Sequence, residues 1–335
     1  MAEYLVGIDL GGTNVNVGCV DETGKVITKH SLALGKPKTR KEVLESIYGA
    51  TEETLKRAGL KAEQVRAVGI ATPGTLDIAR GVVVFAANLP EWEDVPLRDL
   101  IQKKFPSRLG TVLENDANAA AWGEYWAGVG KETRLADGRH VSSLVMLTLG
   151  TGIGGGVVLD GKVWHGFKDA AAELGHITID FRGRPCPCGN IGCLEAYASA
   201  DSTVRRFLEA VKSGAATNWE RAVREHPEEV TSRRIHEEAL KGDVLSRKTI
   251  EETGFYLGVG IVSILHFLNP QMVVLTGGLT GAGSMLMDPL MRVVQERALG
   301  RSREDVKIVF ARLGVDAGFI GAAGCALTAL ETSAS

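Results

Sequence analysis

Excess charge, proline-rich tethers and uninterrupted apolar spans are all missing from this 335-residue chain. Its 38 Lys and Arg against 41 Asp and Glu leave a net charge of -3. That balance gives neither a nucleic acid nor an anionic membrane an electrostatic reason to bind. Arg205-Arg206 and Arg233-Arg234 are isolated pairs, not the basic stripe of a nucleic-acid-binding module. The strand-like run Tyr4 to Ile8 comes at once, without the basic segment and apolar core of a secretory signal, so the expected location is cytoplasmic. Val141 to Leu159 is uncharged for long enough to imitate a membrane span. Its five glycines between Gly150 and Gly156 suit a hairpin loop instead. With no Pro- or Ser-rich linker, a domain boundary is expected in a hinge near residue 118. Glycine is the one excess, at 41 residues, concentrated where backbone must come close to something.

Cysteine is scarce too, at five, yet three of the five fall within eight positions, as Cys186-x-Cys188-x4-Cys193. His176 lies ten residues upstream. In a reducing compartment such spacing favours a metal over disulfides. Three thiolates and an imidazole make a closed tetrahedral site for a structural Zn2+. Gly189 and Gly192 permit the tight turns this needs. Free surface thiols and a redox switch are the alternatives. Cys19 and Cys325 stand alone in apolar surroundings and read as small core residues.

Strand-like and helix-like segments alternate along the chain, which makes the class α/β. The opening "YLVGIDLGGTNVNVGCVDETGKVI" predicts strand, glycine turn, strand, with a further turn at Glu22 to Lys25. A helix is expected over about 40–58, and a strand over Val65 to Ala71 that ends in Thr72-Pro73-Gly74. "SLVMLTLGTGIGGGVVLDGKVW" repeats the strand–glycine–strand pattern, a weak internal repeat that suggests two related halves. Residues 201–267 read as mostly helical. The closing "AGFIGAAGCALTAL" reads as a small-residue helix packed close against something.

Asp9-x-Gly11-Gly12-Thr13 occupies the first glycine turn. Glycines there allow unusual φ and let backbone N–H groups point at an anion. Asn14 continues the turn. Asp9 would hold a hydrated Mg2+. No Gly-Lys-Ser/Thr follows, so this is not a Walker motif. Gly150-Thr151-Gly152 echoes the turn in the second half. Thr276-Gly277-Gly278, at a strand end, suits a nucleoside. In "LENDANAAA", Asp116 follows a strand and opens a helix whose N-terminus favours the carboxylate form. A helix N-cap would look the same.

The set Asp9-Leu10-Gly11-Gly12-Thr13, "ENDANAAAWGE", "LGTGIGGG", "ELGHITID" and "CPCGNIGCLE" covers nearly the whole chain in order. It resembles the ROK family of sugar kinases and repressors, "CPCGNIGCLE" after "ELGH" being its most specific part. The resemblance implies an actin-like ATPase fold, built of duplicated ribonuclease H-like domains with an interdomain cleft for ATP and a sugar. A small domain would span 1–118, completed by the C-terminal helix 316–331. A large one, 119–315, would carry the zinc loop and nucleotide contacts. ROK repressors carry an additional N-terminal helix-turn-helix, for which this chain has no room, so a kinase is expected.

By the same resemblance Asp116 is the general base that takes the proton of the sugar hydroxyl. Asn88, Asn115, Glu173, His176 and Glu195 match sugar-contact positions, and backbone around Gly74 completes the pocket. Gly277 and Gly278 join Asp9 to Asn14 and Gly150 to Gly152 as nucleotide contacts. The Zn2+ would be structural, orienting the sugar-binding residues on both sides of it. Implied partners are ATP and a small sugar, with a homodimer or tetramer as the assembly. Glucose, phosphorylated to glucose 6-phosphate, is the expected substrate. N-acetylglucosamine, N-acetylmannosamine, mannose and fructose are alternatives, and a catalytically silent sugar-sensing regulator is the reading of another class.

Overall fold

The computed structural model describes residues 3–35, 39–86, 89 and 91–334. Asn88, a predicted sugar contact, lies outside the described residues. The chain divides into two compact units, one of residues 1–146, 156–172 and 311–335, the other of residues 147–155 and 173–310.

Among the described residues, eight strands precede residue 116: β1 (Tyr4–Leu10), β2 (Asn14–Asp21), β3 (Val26–Ala33), β4 (Val65–Thr72), β5 (Thr75–Asp77), β6 (Val82–Phe85), β7 (Glu93–Val95) and β8 (Thr111–Asn115). Five of them form a sheet of order β3-β2-β1-β4-β8. The first three strands are an antiparallel meander, while β4 runs parallel to β1 and β8 parallel to β4. The β2–β3 turn closes on Asp21, whose Oδ1 accepts from the N–H groups of Thr23 (2.8 Å) and Lys25 (3.0 Å). The short strands β5, β6 and β7 form a separate sheet.

Alternation along β1 assigns the faces of the first sheet. Val6, Ile8 and Leu10 pack with Val43, Ile47, Ala50 and Leu55 of the helix Arg40–Ala58. Thr39 and Glu42 close that helix with a capping box. Leu5 packs on the other side, against Phe319, Ile320 and Ala323 of the C-terminal helix Ala317–Ala334. Gly7 and Gly69 share this face, and a Cβ on either would clash with a helix carbonyl, of Phe319 or Ala322. The small-residue helix thus meets bare sheet backbone, as its composition predicts. Asp9 follows Leu5 and Gly7 on this face and reaches the first turn of the helix at Gly318.

The helix Asp116–Trp126 is largely buried, as its alanines and tryptophans suggest. Gly123 and Gly321 bring it and the C-terminal helix to backbone contact. Buried Glu124 fastens the same region, accepting from Val129 N–H (3.1 Å), Arg312 N–H (2.9 Å) and Leu313 N–H (2.7 Å). Residue 118 lies inside this helix, which the first unit holds whole.

Five further strands follow among the described residues: β9 (Leu144–Leu149), β10 (Ile153–Leu159), β11 (Lys162–Val163), β12 (Met272–Thr276) and β13 (Lys307–Phe310). Their sheet has the order β11-β10-β9-β12-β13, with β10–β11 antiparallel and β12–β13 parallel. This is the strand order of the first sheet, so the expected internal repeat is present as a repeated topology. Between β11 and β12 the chain is mostly helical, with its longest helix at Val244–Leu268. Among the described residues no helix is long and apolar enough to cross a membrane.

Candidate active site

In the first unit, Asp9 stands between the fully buried Ile8 and Leu10 of β1. Asn16 Nδ2 donates to its Oδ2 at 3.3 Å, and Ser31 Oγ donates to Asn16 Oδ1 at 2.8 Å. Burial pushes the Asp9 carboxyl up to about 6; the Asn16 hydrogen bond opposes the shift, and the charge of Asp116 adds to it. Two acids therefore sit within electrostatic reach at one end of this sheet. The Gly11–Thr13 turn is closed by Gly11 N–H on Asn14 O (2.9 Å) and Leu34 N–H on Thr13 O (2.7 Å). Gly11 does not use the positive φ that glycine allows. The turn is tight at 11, where an added Cβ would lie 3.3 Å from the Asn14 carbonyl oxygen.

Asp116 is the first residue of its helix, not the cap. The cap is Asn115, whose Oδ1 accepts from the N–H groups of Ala117 (3.0 Å) and Asn118 (3.2 Å). Ala117 N–H also donates to Asp116 Oδ1 at 2.8 Å. The preceding Glu114 is buried, and His165 Nε2 lies 2.8 Å from its Oε2. Gly74, where a turn follows β4, has a φ of 111° and passes so close to Phe85 O that a Cβ would clash.

The second unit gathers the remaining predicted residues. Gly150 N–H donates to Gly152 O (3.0 Å), and Gly150 O accepts from Ala200 N–H (2.9 Å). Glu195 follows the cysteine loop directly, and its Oε2 accepts from Ile153 N–H at 2.8 Å. A Cβ on Gly152 would clash with the Glu195 carboxylate. Gly277, with a φ of 103°, leaves no room for a Cβ against Leu149 O. The glycine turn, the Gly277 approach and the acid after the cysteine loop are thus brought together. Sequence reasoning put Glu195 with the sugar contacts; this bond to the glycine turn was not foreseen.

His176, Cys186, Cys188 and Cys193 offer ligand atoms that all lie within 4.8 Å of one another. Cys188 and Cys193 Sγ are 3.7 Å apart, and Cys186 Sγ is 3.8 Å from His176 Nδ1. Zn–S bonds of about 2.3 Å at a tetrahedral angle put ligand atoms about 3.8 Å apart, so the four residues fit zinc. The loop is a narrow hairpin: Cys186 N–H bonds Asn190 O (2.8 Å), and Gly189 turns at a φ of 92°. Burial pushes the Cys186 thiol up to about 12, whereas the Asn190 N–H pulls Cys188 down. Glu173 is exposed, its Oε2 4.0 Å from His176 Nε2.

Four polar residues of this region escaped the sequence reading: Asn16, Glu114, Glu124 and His165. Glu114 stands inside the quoted "ENDANAAA", but only its burial distinguishes it. His165 belongs to no motif.

A twice-repeated α/β sheet with a glycine turn after the first strand of each copy defines an actin-like ATPase fold. The chain belongs to the ROK family, whose model matches residues 5–329. It is 34% identical over 323 residues to a glucokinase of Thermotoga maritima, covering 95% of this chain and 96% of that one. A ROK family glucokinase from Streptomyces griseus, solved in complex with glucose and AMPPNP, is similar in structure. Its TM-score is 0.77 at 31% identity, over 97% of this chain and 99% of that one. A xylose repressor of Caldicellulosiruptor bescii is 30% identical over 312 residues, 92% of this chain and 74% of the repressor.

Proposed function

We propose that this protein is an ATP-dependent glucokinase that transfers the γ-phosphoryl group to the 6-hydroxyl of glucose. Its near-full-length likeness to glucokinases supports the reading. The observation that carries it to a residue is the capping of the 116–126 helix by Asn115, which leaves N-capping without force as an explanation for an acid at 116. Asp116 accepts the proton of the attacking hydroxyl. Phosphoryl transfer depends mainly on alignment and charge stabilisation, so its orienting role matters as much as its basicity.

Backbone N–H groups of the Gly11–Asn14 and Gly150–Gly152 turns receive phosphate oxygens, and Gly277 and Gly278 receive the nucleoside. Asp9 is a hard oxygen donor next to a second carboxylate, a setting that fits a hydrated magnesium ion. When bound, that ion would neutralise phosphate charge. Glu173, His176, Glu195, Asn115 and Asn88, with backbone at Gly74, hold the sugar hydroxyls. His176 Nδ1 faces Cys186, which leaves Nε2 for a hydroxyl. Zinc on His176, Cys186, Cys188 and Cys193 would fix that ring and Glu195 without joining the reaction. The test is a kcat/KM panel over glucose, N-acetylglucosamine, N-acetylmannosamine, mannose and fructose with ATP. Glucose should lead. Phosphorylation of none of the five would leave a silent sugar sensor as the better reading.

A further inference from the structure

Glu114 and His165 have no part in the reaction as drawn, yet the imidazole meets a buried carboxylate. Glu114 is 3% exposed and occupies β8 immediately before Asn115 and Asp116. Its Oε1 accepts from Asn115 N–H (2.9 Å) and Asn118 Nδ2 (3.3 Å). Those residues flank Asp116 in the first helical turn. Its Oε2 faces His165 Nε2 at 2.8 Å.

His165 opens a short loop closed by Ala171 N–H on His165 O (3.0 Å). The loop is pinned again where Asp169 Oδ2 accepts from Ile78 N–H (3.0 Å). Two residues beyond Ala171 the chain reaches Glu173. Burial alone would lower the His165 pKa, but the hydrogen bond and charge of Glu114, with the charge of Asp169, raise it. Cys325, on the C-terminal helix, also feels the charge of Glu114. Its thiol, held far up by burial, stays neutral.

Building on the kinase reading, we propose that Glu114 and His165 are positioning residues for phosphoryl transfer. Glu114 fixes the turn that carries Asp116, and His165, as its hydrogen-bonding partner, ties that turn to the loop it opens. Neither residue needs to touch substrate. A carboxylate this deeply placed requires its donors, and losing the imidazole lets the first turn shift.

The test uses the full-length protein with ATP and glucose. His165→Leu should lower kcat about tenfold or more while the KM for ATP stays within about twofold, because a sub-ångström displacement of a reacting group already costs rate. His165→Gln, whose amide can donate to Glu114, should recover most of the loss at a similar Tm. A His165→Leu rate within twofold of wild type would overturn the proposal. So would equal losses in the Leu and Gln variants that follow Tm alone. If His165→Leu fails to fold, the rate of His165→Gln decides. Wild type inactive on every sugar would remove the kinase reading and this proposal with it; an active wild type with unaffected variants removes the proposal alone.

Discussion

Asp9→Asn should make the ligand-free protein more stable and less active. Asp9 is held at about 6 in the folded protein against an ordinary 3.8. That difference of about two units corresponds to about 3 kcal/mol between its two protonation states. The folded state holds the proton more tightly than the unfolded state, so the sign follows. The stability of the protonated form is fully present below 3.8 and is lost as pH rises through about 6. At pH 8 the ionised group therefore costs the fold up to about 3 kcal/mol, a cost that an uncharged isostere removes. Asn fits the space beside Gly318 and keeps an oxygen for Asn16. The gain should be greatest at pH 8, about half as large near pH 5, and nearly gone at the unfolded-state value. Calorimetry at pH 8 should show Tm higher by several degrees for a unit of this size. Turnover should fall, because Asn cannot supply the anionic oxygen for magnesium. A variant no more stable than wild type at pH 8, or one whose gain is the same at pH 5, would refute the reasoning.

Asp116→Asn should lower kcat by at least about 100-fold, the usual loss of a general base, with little change in glucose Kd. Its Tm should stay near that of wild type, since Asn115 keeps the cap; a rate within a few-fold of wild type would place the base elsewhere. Gly69→Ala drives a methyl group into the Ala322 carbonyl, so it should destabilise the first unit by about 1–3 kcal/mol or more in urea unfolding. Unchanged stability there would mean that the helix seats differently on the sheet. Purified protein should contain about one zinc per chain by elemental analysis, and Cys188→Ser should lose it. That variant should also raise the KM for ATP as well as for glucose, because Glu195 bonds Ile153, the residue that follows the glycine turn; full sugar affinity in zinc-free protein would refute this.

What could be read from sequence was what is local. Strand–glycine–strand patterns at 4–20 and 142–164 rest on alternation and turn residues a few positions apart, and both became hairpins of matching sheets. The His and Cys cluster was legible for the same reason, three of its four residues lying within eight positions. Glu114 and His165 are 51 residues apart, and neither carries a pattern, so only the fold introduces them. The choice between Asn115 and Asp116 as cap turns on a one-residue difference in where the helix starts, and both side chains cap well. The excess of glycine pointed to close approach of backbone without saying to what, and Gly7, Gly69, Gly123 and Gly321 serve contacts between the C-terminal helix and its neighbours.

These contacts show how differently the candidate residues of each unit are held. Asp9 and Asp116 rest on strands and helices whose backbones touch through glycine, over a core that includes Leu5, Phe319 and Ala323. Such a framework cannot move without losing contacts throughout, so positions on it are fixed by packing. His176 and Glu195 instead border a loop with few apolar side chains inside it and with Phe181 and Ile191 exposed. Hydrogen bonds such as Cys186 to Asn190 and Leu194 to Ile177 shape that loop but bury little. Four ligands on one metal ion would supply the rigidity that packing does not. On the proposed reading a metal belongs where the chain cannot build a core, not where the chemistry requires a cation, so the zinc would need no part in phosphoryl transfer.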